Sequence, residues 1–149
     1  MERVSTYLAI DPGHTTGCAW FSEEGDLTKI EEFKLDKINL FLDEEITNKI
    51  SMIIVEDYRL YPWKSSAQSW SRIETVRVIG AIDYRAHQCG IPVVYQDPSI
   101  KGIGYKWAGK TKPKNHANSH VLDAYVHGVY YLQKNGIRRP QQGREELTK

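Results

Sequence analysis

Segments with the two-residue period of a β-strand and segments with the 3.6-residue period of an α-helix alternate along this chain, and their order constrains the fold more than any other feature. Tyr7 to Ile10 and Cys18 to Phe21 read as strands, and "EEGD" at Glu23 to Asp26 is the turn into a third around Ile30 to Leu35. The chain thus opens as an antiparallel meander. Ile38, Leu42, Ile46 and Ile50 then recur at helical spacing, with Phe41 beside them, which predicts an amphipathic helix from Lys37 to Lys49. "SMIIV" closes on Glu56 as a buried fourth strand, and Trp70, Ile73, Arg77, Ala81 and Tyr84 mark a long helix stopped by Gly90. Pro92 to Tyr95 is a fifth strand, the Gly-rich lysine segment after it a loop, and Ser119 to Lys134 a last helix closed by "NG". Three strands, helix, strand, helix, strand, helix, with no repeat and no linker, predict an α/β domain built on a mixed sheet flanked by helices.

At 149 residues, 40% of them hydrophobic, the chain suits one domain with one sizeable core, over residues 1–137. The basic tail 138–149, with "RRPQQGREE", has little apolar content and reads as disordered. Apolar runs are short, as in "MIIV", and no basic segment followed by an apolar one opens the chain, so neither a membrane span nor a signal peptide is expected and the cytoplasm is the expected location. Cys18 and Cys89 have no paired spacing and read as free thiols.

The near-neutral net charge hides an uneven distribution. Glu23 to Asp57 holds eleven acids against four bases, whereas Lys101 to Asn115 holds Lys101, Lys106, Lys110, Lys112 and Lys114 and no acid. Such a block is either a solvated loop or an anion-binding surface. The interleaved Tyr105 and Trp107 favour nucleic acid, because aromatic faces stack on bases while lysines follow phosphates. Arg59, Tyr61, Trp63 and Lys64, in the loop leaving the sheet after Glu56, are further candidates for DNA contact, the two aromatics either stacking on unpaired bases or covering the core.

Asp11 and Glu56 each end a central strand, where a fixed carboxylate is costly, and adjacent strand ends would bring them close. His120 and Asp123 are three apart and share a face of the last helix, with His127 extending the stripe. Each acid alone could cap a helix or pair with a lysine. Converging carboxylates repel, however, and need a divalent cation, for which an oxygen-rich set suits Mg²⁺ or Mn²⁺. A metal beside a lysine-rich segment points to phosphodiester chemistry, in which two ions about 3.5–4 Å apart activate a water and stabilise the leaving oxygen. Asp57 should point to the opposite face from Glu56. His116 and His120 have a zinc-like spacing but lack a Cys or a further histidine pair. No Gly-rich phosphate loop is present, and "SHVLD" is too tightly placed on one helix for a catalytic triad.

"AIDPGHTTG", "IIVED", "DPSIK" and "HVLDAYVHG", in that order over nearly the whole chain, resemble the motifs of the RuvC-type Holliday junction resolvases, within the RNase H-like superfamily. The resemblance implies an RNase H-like fold with a five-stranded mixed sheet whose first three strands are antiparallel. It implies metal ligation by Asp11, Glu56, His120 and Asp123, and a role for Lys101 near the scissile phosphate. It further implies a homodimer that cuts four-way DNA junctions and leaves a 5′-phosphate and a 3′-hydroxyl. The short "HTTG" turn and the compact chain are similar to bacteriophage-encoded versions. The alternatives are an RNase H-like nuclease of flaps, forks or hybrids, and a catalytically silent DNA-binding module of the same fold. A nucleotide hydrolase of the sugar-kinase or actin type needs two such domains, and this chain has room for one.

Overall fold

The computed structural model describes residues 5–58, 70–113 and 119–147, with only the backbone of residues 70–72. β1 (Tyr7–Asp11), β2 (Thr15–Phe21) and β3 (Leu27–Lys34) form the expected meander, and β4 (Met52–Glu56) and β5 (Val93–Gln96) add to it in parallel. The sheet order is β3-β2-β1-β4-β5, a five-stranded mixed sheet. α1 (Ile38–Glu45) leads into β4 and α2 (Trp70–Gln88) joins β4 to β5; α3 (Lys101–Ala108) and α4 (His120–Lys134) follow.

Alternation along the central strands divides the apolar residues between two cores. Leu8, Ile10, Cys18, Trp20, Ile53 and Val55 pack on one face against Phe41 of α1 and Val78, Ile82 and Ala86 of α2. Ala9, Ala19, Phe21 and Ile54 face the other way, onto Tyr105 of α3 and Ala124, Tyr125, Val126 and Val129 of α4. Asp11 continues the face of Ala9, and Glu56 continues that of Ile54. The same alternation that builds the sheet therefore aims both strand-end carboxylates at α4.

Three expectations are corrected. α1 is shorter than its apolar period, because Ile46 is extended (φ −91°, ψ 95°) and a turn closed by Ile50 N–H on the Thr47 carbonyl follows; Ile46 and Ile50 still reach the core. The segment from Lys101 is helix rather than loop. Asp97 starts it, accepting the Ser99 amide at 2.9 Å ahead of a 3-10 turn at Pro98–Ile100, and Gly109 ends it at φ 67°. Gly102 and Gly104 hide this helix, since glycine disfavours helix in an isolated chain. Packing explains Gly104: a Cβ there would lie 2.8 Å from the Val126 carbonyl oxygen of α4.

The tail is the third. Far from being disordered, 138–147 folds back over the β2–β3 turn around Arg138, which is 3% exposed. Its guanidinium donates to the Gly25 carbonyl at 2.8 Å and to Glu146 Oε1 at 2.7 Å, while Glu146 Oε2 accepts the Leu27 amide at 2.7 Å. Tyr125 Oη also donates to Glu146 Oε1, at 2.8 Å. A low apolar fraction misleads here because hydrogen bonds centred on one buried cation add to the packing of Leu147 on the core.

Candidate active site

Parallel pairing of β1 with β4 sets Ile10 opposite Val55, so the next residues, Asp11 and Glu56, leave the sheet side by side. α4 brings the third acid. Its first turn lies directly on Gly17 of β2, the cross-strand partner of Asp11, where a Cβ would fall 2.1 Å from the His120 carbonyl oxygen. Only glycine admits that approach. Ligand oxygens of Asp11, Glu56 and Asp123 consequently lie within 4.8 Å of one another, all three residues buried, at the floor of an open cleft of about 480 Å³.

Each carboxylate has a partner of its own. His120 Nδ1 is 3.4 Å from Asp11 Oδ2, and Tyr105 Oη donates to Asp123 Oδ1 at 2.5 Å. Lys101 Nζ lies 2.8 Å from Glu56 Oε1 and 3.6 Å from Asp123 Oδ2, bridging the two. Burial, together with the carboxylates of Glu56 and Asp123, pushes Asp11 well above the usual carboxylate range despite the opposing contact with His120. Burial also opposes ionisation of Glu56, but His127, Asp11 and Lys101 outweigh it and hold that carboxyl below the usual range. The pair divides, Asp11 releasing its proton at higher pH than Glu56 does. The contact with Asp11 raises His120 against its burial; Glu56 and the other acids raise Lys101 against its own. Burial and Asp123 raise the Tyr105 phenol, which thus remains a donor. The charge left over on three buried acids, with oxygen donors and one flanking imidazole, fits a hard divalent cation such as Mg²⁺ or Mn²⁺.

Among solved structures the chain is similar to Thermus thermophilus RuvC in complex with a Holliday junction substrate, with TM-score 0.65, and to a further Thermus thermophilus RuvC structure, with TM-score 0.60. Both are 17% identical over 88% of this chain and 96% of that one. The chain has the RuvC fold. The yeast mitochondrial Holliday junction resolvase is also similar, at TM-score 0.51 and 11% identity over 97% of this chain and 84% of that one. No family model and no curated protein matches the sequence.

On this RuvC fold, Asp11, Glu56, Lys101, His120 and Asp123 all line one cleft. Asp57, expected on the opposite face, lines it too, because the strand ends at Glu56 and alternation ends with it; its Oδ1 accepts the Tyr58 amide at 2.9 Å. Lys106 and Lys112 are exposed, whereas the Lys110 ammonium donates to the Glu146 carbonyl of the tail. Arg59, Tyr61, Trp63, Lys64, Lys114 and His116 lie outside the described residues. Tyr105 does not present its ring for stacking on bases: it is buried, and serves Asp123 instead. Trp107 stacks on Tyr130, ring centres 5.2 Å apart. Sequence reasoning also missed Gly17, whose only signal is a glycine inside a strand. Gly17→Ala is expected to push α4 off β2 and to destabilise the fold by about 1–3 kcal/mol in thermal unfolding. Wild-type stability of this variant would show that the close contact does not fix α4 on the sheet.

Proposed function

We propose that this chain is a divalent-metal-dependent endonuclease that cuts phosphodiester bonds in branched DNA, with the four-way junction as its substrate. The convergence of Asp11, Glu56 and Asp123 from three separate elements carries this reading. A binding surface for phosphate gains nothing from three buried acids, which disfavours a silent DNA-binding module. The junction bound by Thermus thermophilus RuvC supports the choice of substrate. Asp11, Glu56 and Asp123, with His120 as the fourth ligand, would hold Mg²⁺ or Mn²⁺. When bound, such ions supply an activated water and stabilisation of the leaving oxygen. Lys101, at the start of α3 and at the cleft wall, turns its ammonium from Glu56 and Asp123 toward the reacting phosphate and offsets charge developing there.

A homodimer would give two such sites for the two symmetric cuts of a four-way junction. Ile73, Val76 and Tyr84 of α2 support a second copy there: with Gly80 they form a stripe at helical spacing, and all three are exposed. No helix among the described residues is long and apolar enough to cross a membrane.

Incubating the protein with labelled four-way junction, duplex and flap DNA, with and without Mg²⁺ or Mn²⁺, tests the proposal. Metal-dependent cutting confined to the junction is expected. Preferential cutting of flaps or hybrids would favour a different RNase H-like nuclease, and binding without cutting would leave only the silent module. The lysines divide the same way. Lys106→Ala and Lys112→Ala are expected to weaken binding on every DNA sequence and to reduce the magnitude of the salt slope by about one each, whereas Lys101→Ala lowers the cleavage rate more than binding. Unchanged salt slopes would mark Lys106 and Lys112 as merely solvated, and a Lys101 effect confined to binding would remove it from the catalytic set.

A further inference from the structure

His127 is fully buried on α4, one turn beyond Asp123, and nothing in the proposed chemistry uses it. Its Nδ1 lies 3.0 Å from Gln96 Nε2, and the same amide nitrogen lies 3.0 Å from the His127 carbonyl oxygen. A carbonyl oxygen can only accept. The Gln96 group facing both atoms is therefore the NH₂, one hydrogen goes to the carbonyl, and Nδ1 accepts the other. This places the ring proton on Nε2. That nitrogen is buried with no hydrogen-bond partner among the described residues, and Glu56 Oε2 lies 3.7 Å from it. The separation is longer than a hydrogen bond, so the contact is an attraction between an oriented N–H dipole and a carboxylate.

Glu56 is also tied to Asp11 and, through Oε1, to Lys101, and Lys101 is the residue that leaves for the phosphate in the proposed mechanism. Asp123 has a separate fixed donor in Tyr105. We propose that His127, locked by Gln96 as its Nε2–H tautomer, is a positioning residue that holds Glu56 Oε2 inward and keeps Oε1 turned to the cleft. The inference rests on the metal-site reading. It needs no titration of His127, only the tautomer that the Gln96 amide imposes, and outer partners of this kind tune how well a ligand is presented to a metal.

The test is Mn²⁺ titration of the full chain by calorimetry without DNA, together with the ¹⁵N spectrum of histidine-labelled protein. His127→Phe is expected to weaken Mn²⁺ binding by about 10- to 100-fold, and His127→Gln, which restores an N–H near the place of Nε2, to stay within about 3-fold of wild type. Gln96→Leu leaves His127 in place but frees its tautomer, and is expected to weaken binding about 5-fold. The spectrum is expected to show the His127 proton on Nε2. Wild-type affinity in folded His127→Phe, an equal loss in His127→Gln and His127→Phe, or a proton on Nδ1 would each overturn the inference. Should His127→Phe not fold, Gln96→Leu and the spectrum decide, wild-type affinity in Gln96→Leu overturning it. Asp11→Asn separates the two levels. If it binds Mn²⁺ as wild type does, the metal-site reading fails and takes this inference with it; if it binds weakly while His127→Phe does not, the inference alone fails.

Discussion

Asp11→Asn, Glu56→Gln and Asp123→Asn are each expected to abolish metal-dependent cutting of a labelled four-way junction while leaving metal-free junction binding unchanged or tighter. Each substitution removes one of three carboxylate ligands facing the DNA phosphates, together with the negative charge that carboxylate carries when ionised, so cleavage falls while binding does not. A purely structural role for these acids would lower both together through misfolding. Near-normal cutting by any two variants would end the metal-site assignment. Asp11→Asn carries a second signature with a definite sign. The folded-state carboxyl is raised, mainly by burial, so ionised Asp11 opposes folding, increasingly as pH rises from the ordinary carboxylate range through the folded value. The variant should therefore gain more thermal stability over wild type at neutral pH than at pH 4 in metal-free buffer. A gain that is larger at pH 4 would contradict the shift.

Asp11 and Glu56 were legible in the sequence for a physical reason: a carboxylate closing an apolar strand run has no ordinary structural use, and two-residue alternation assigns its face. His120 and Asp123 were legible from helical spacing alone. The parts that remained hidden depend on contacts between distant segments. Tyr105 meets Asp123 only because α3 exists, and α3 exists despite two glycines because Gly104 lets it pack on Val126. The pairing of Gln96 with His127 joins β5 to α4 across 31 residues, and neither residue carries a motif that announces it. Composition was the weakest guide, since it compares apolar area with chain entropy and cannot see a buried ion pair.

Arg138→Ala is expected to destabilise the fold by about 3 kcal/mol, because removing one partner of a buried pair leaves the other charge uncompensated. Arg138 is the hub of the tail: its guanidinium reaches Gly25 on the β2–β3 turn, Tyr125 on α4, and Glu146. After the substitution Glu146 would keep the Leu27 amide and the Tyr125 hydroxyl but lose its counter-charge. For a chain of this size that loss corresponds to a fall in melting temperature of roughly 6–12 °C. Arg138→Lys keeps the charge but not the planar fork that serves several acceptors at once, and should fall between wild type and Arg138→Ala. Glu146→Gln should cost less than Arg138→Ala, since Arg138 would retain the Gly25 and Gln142 carbonyls. A tail that merely hung from the domain, as its composition suggests, would give changes within about 0.5 kcal/mol for all three. Thermal and urea unfolding at neutral pH decide between the two, and a null result for Arg138→Ala would detach residues 138–147 from the folded unit.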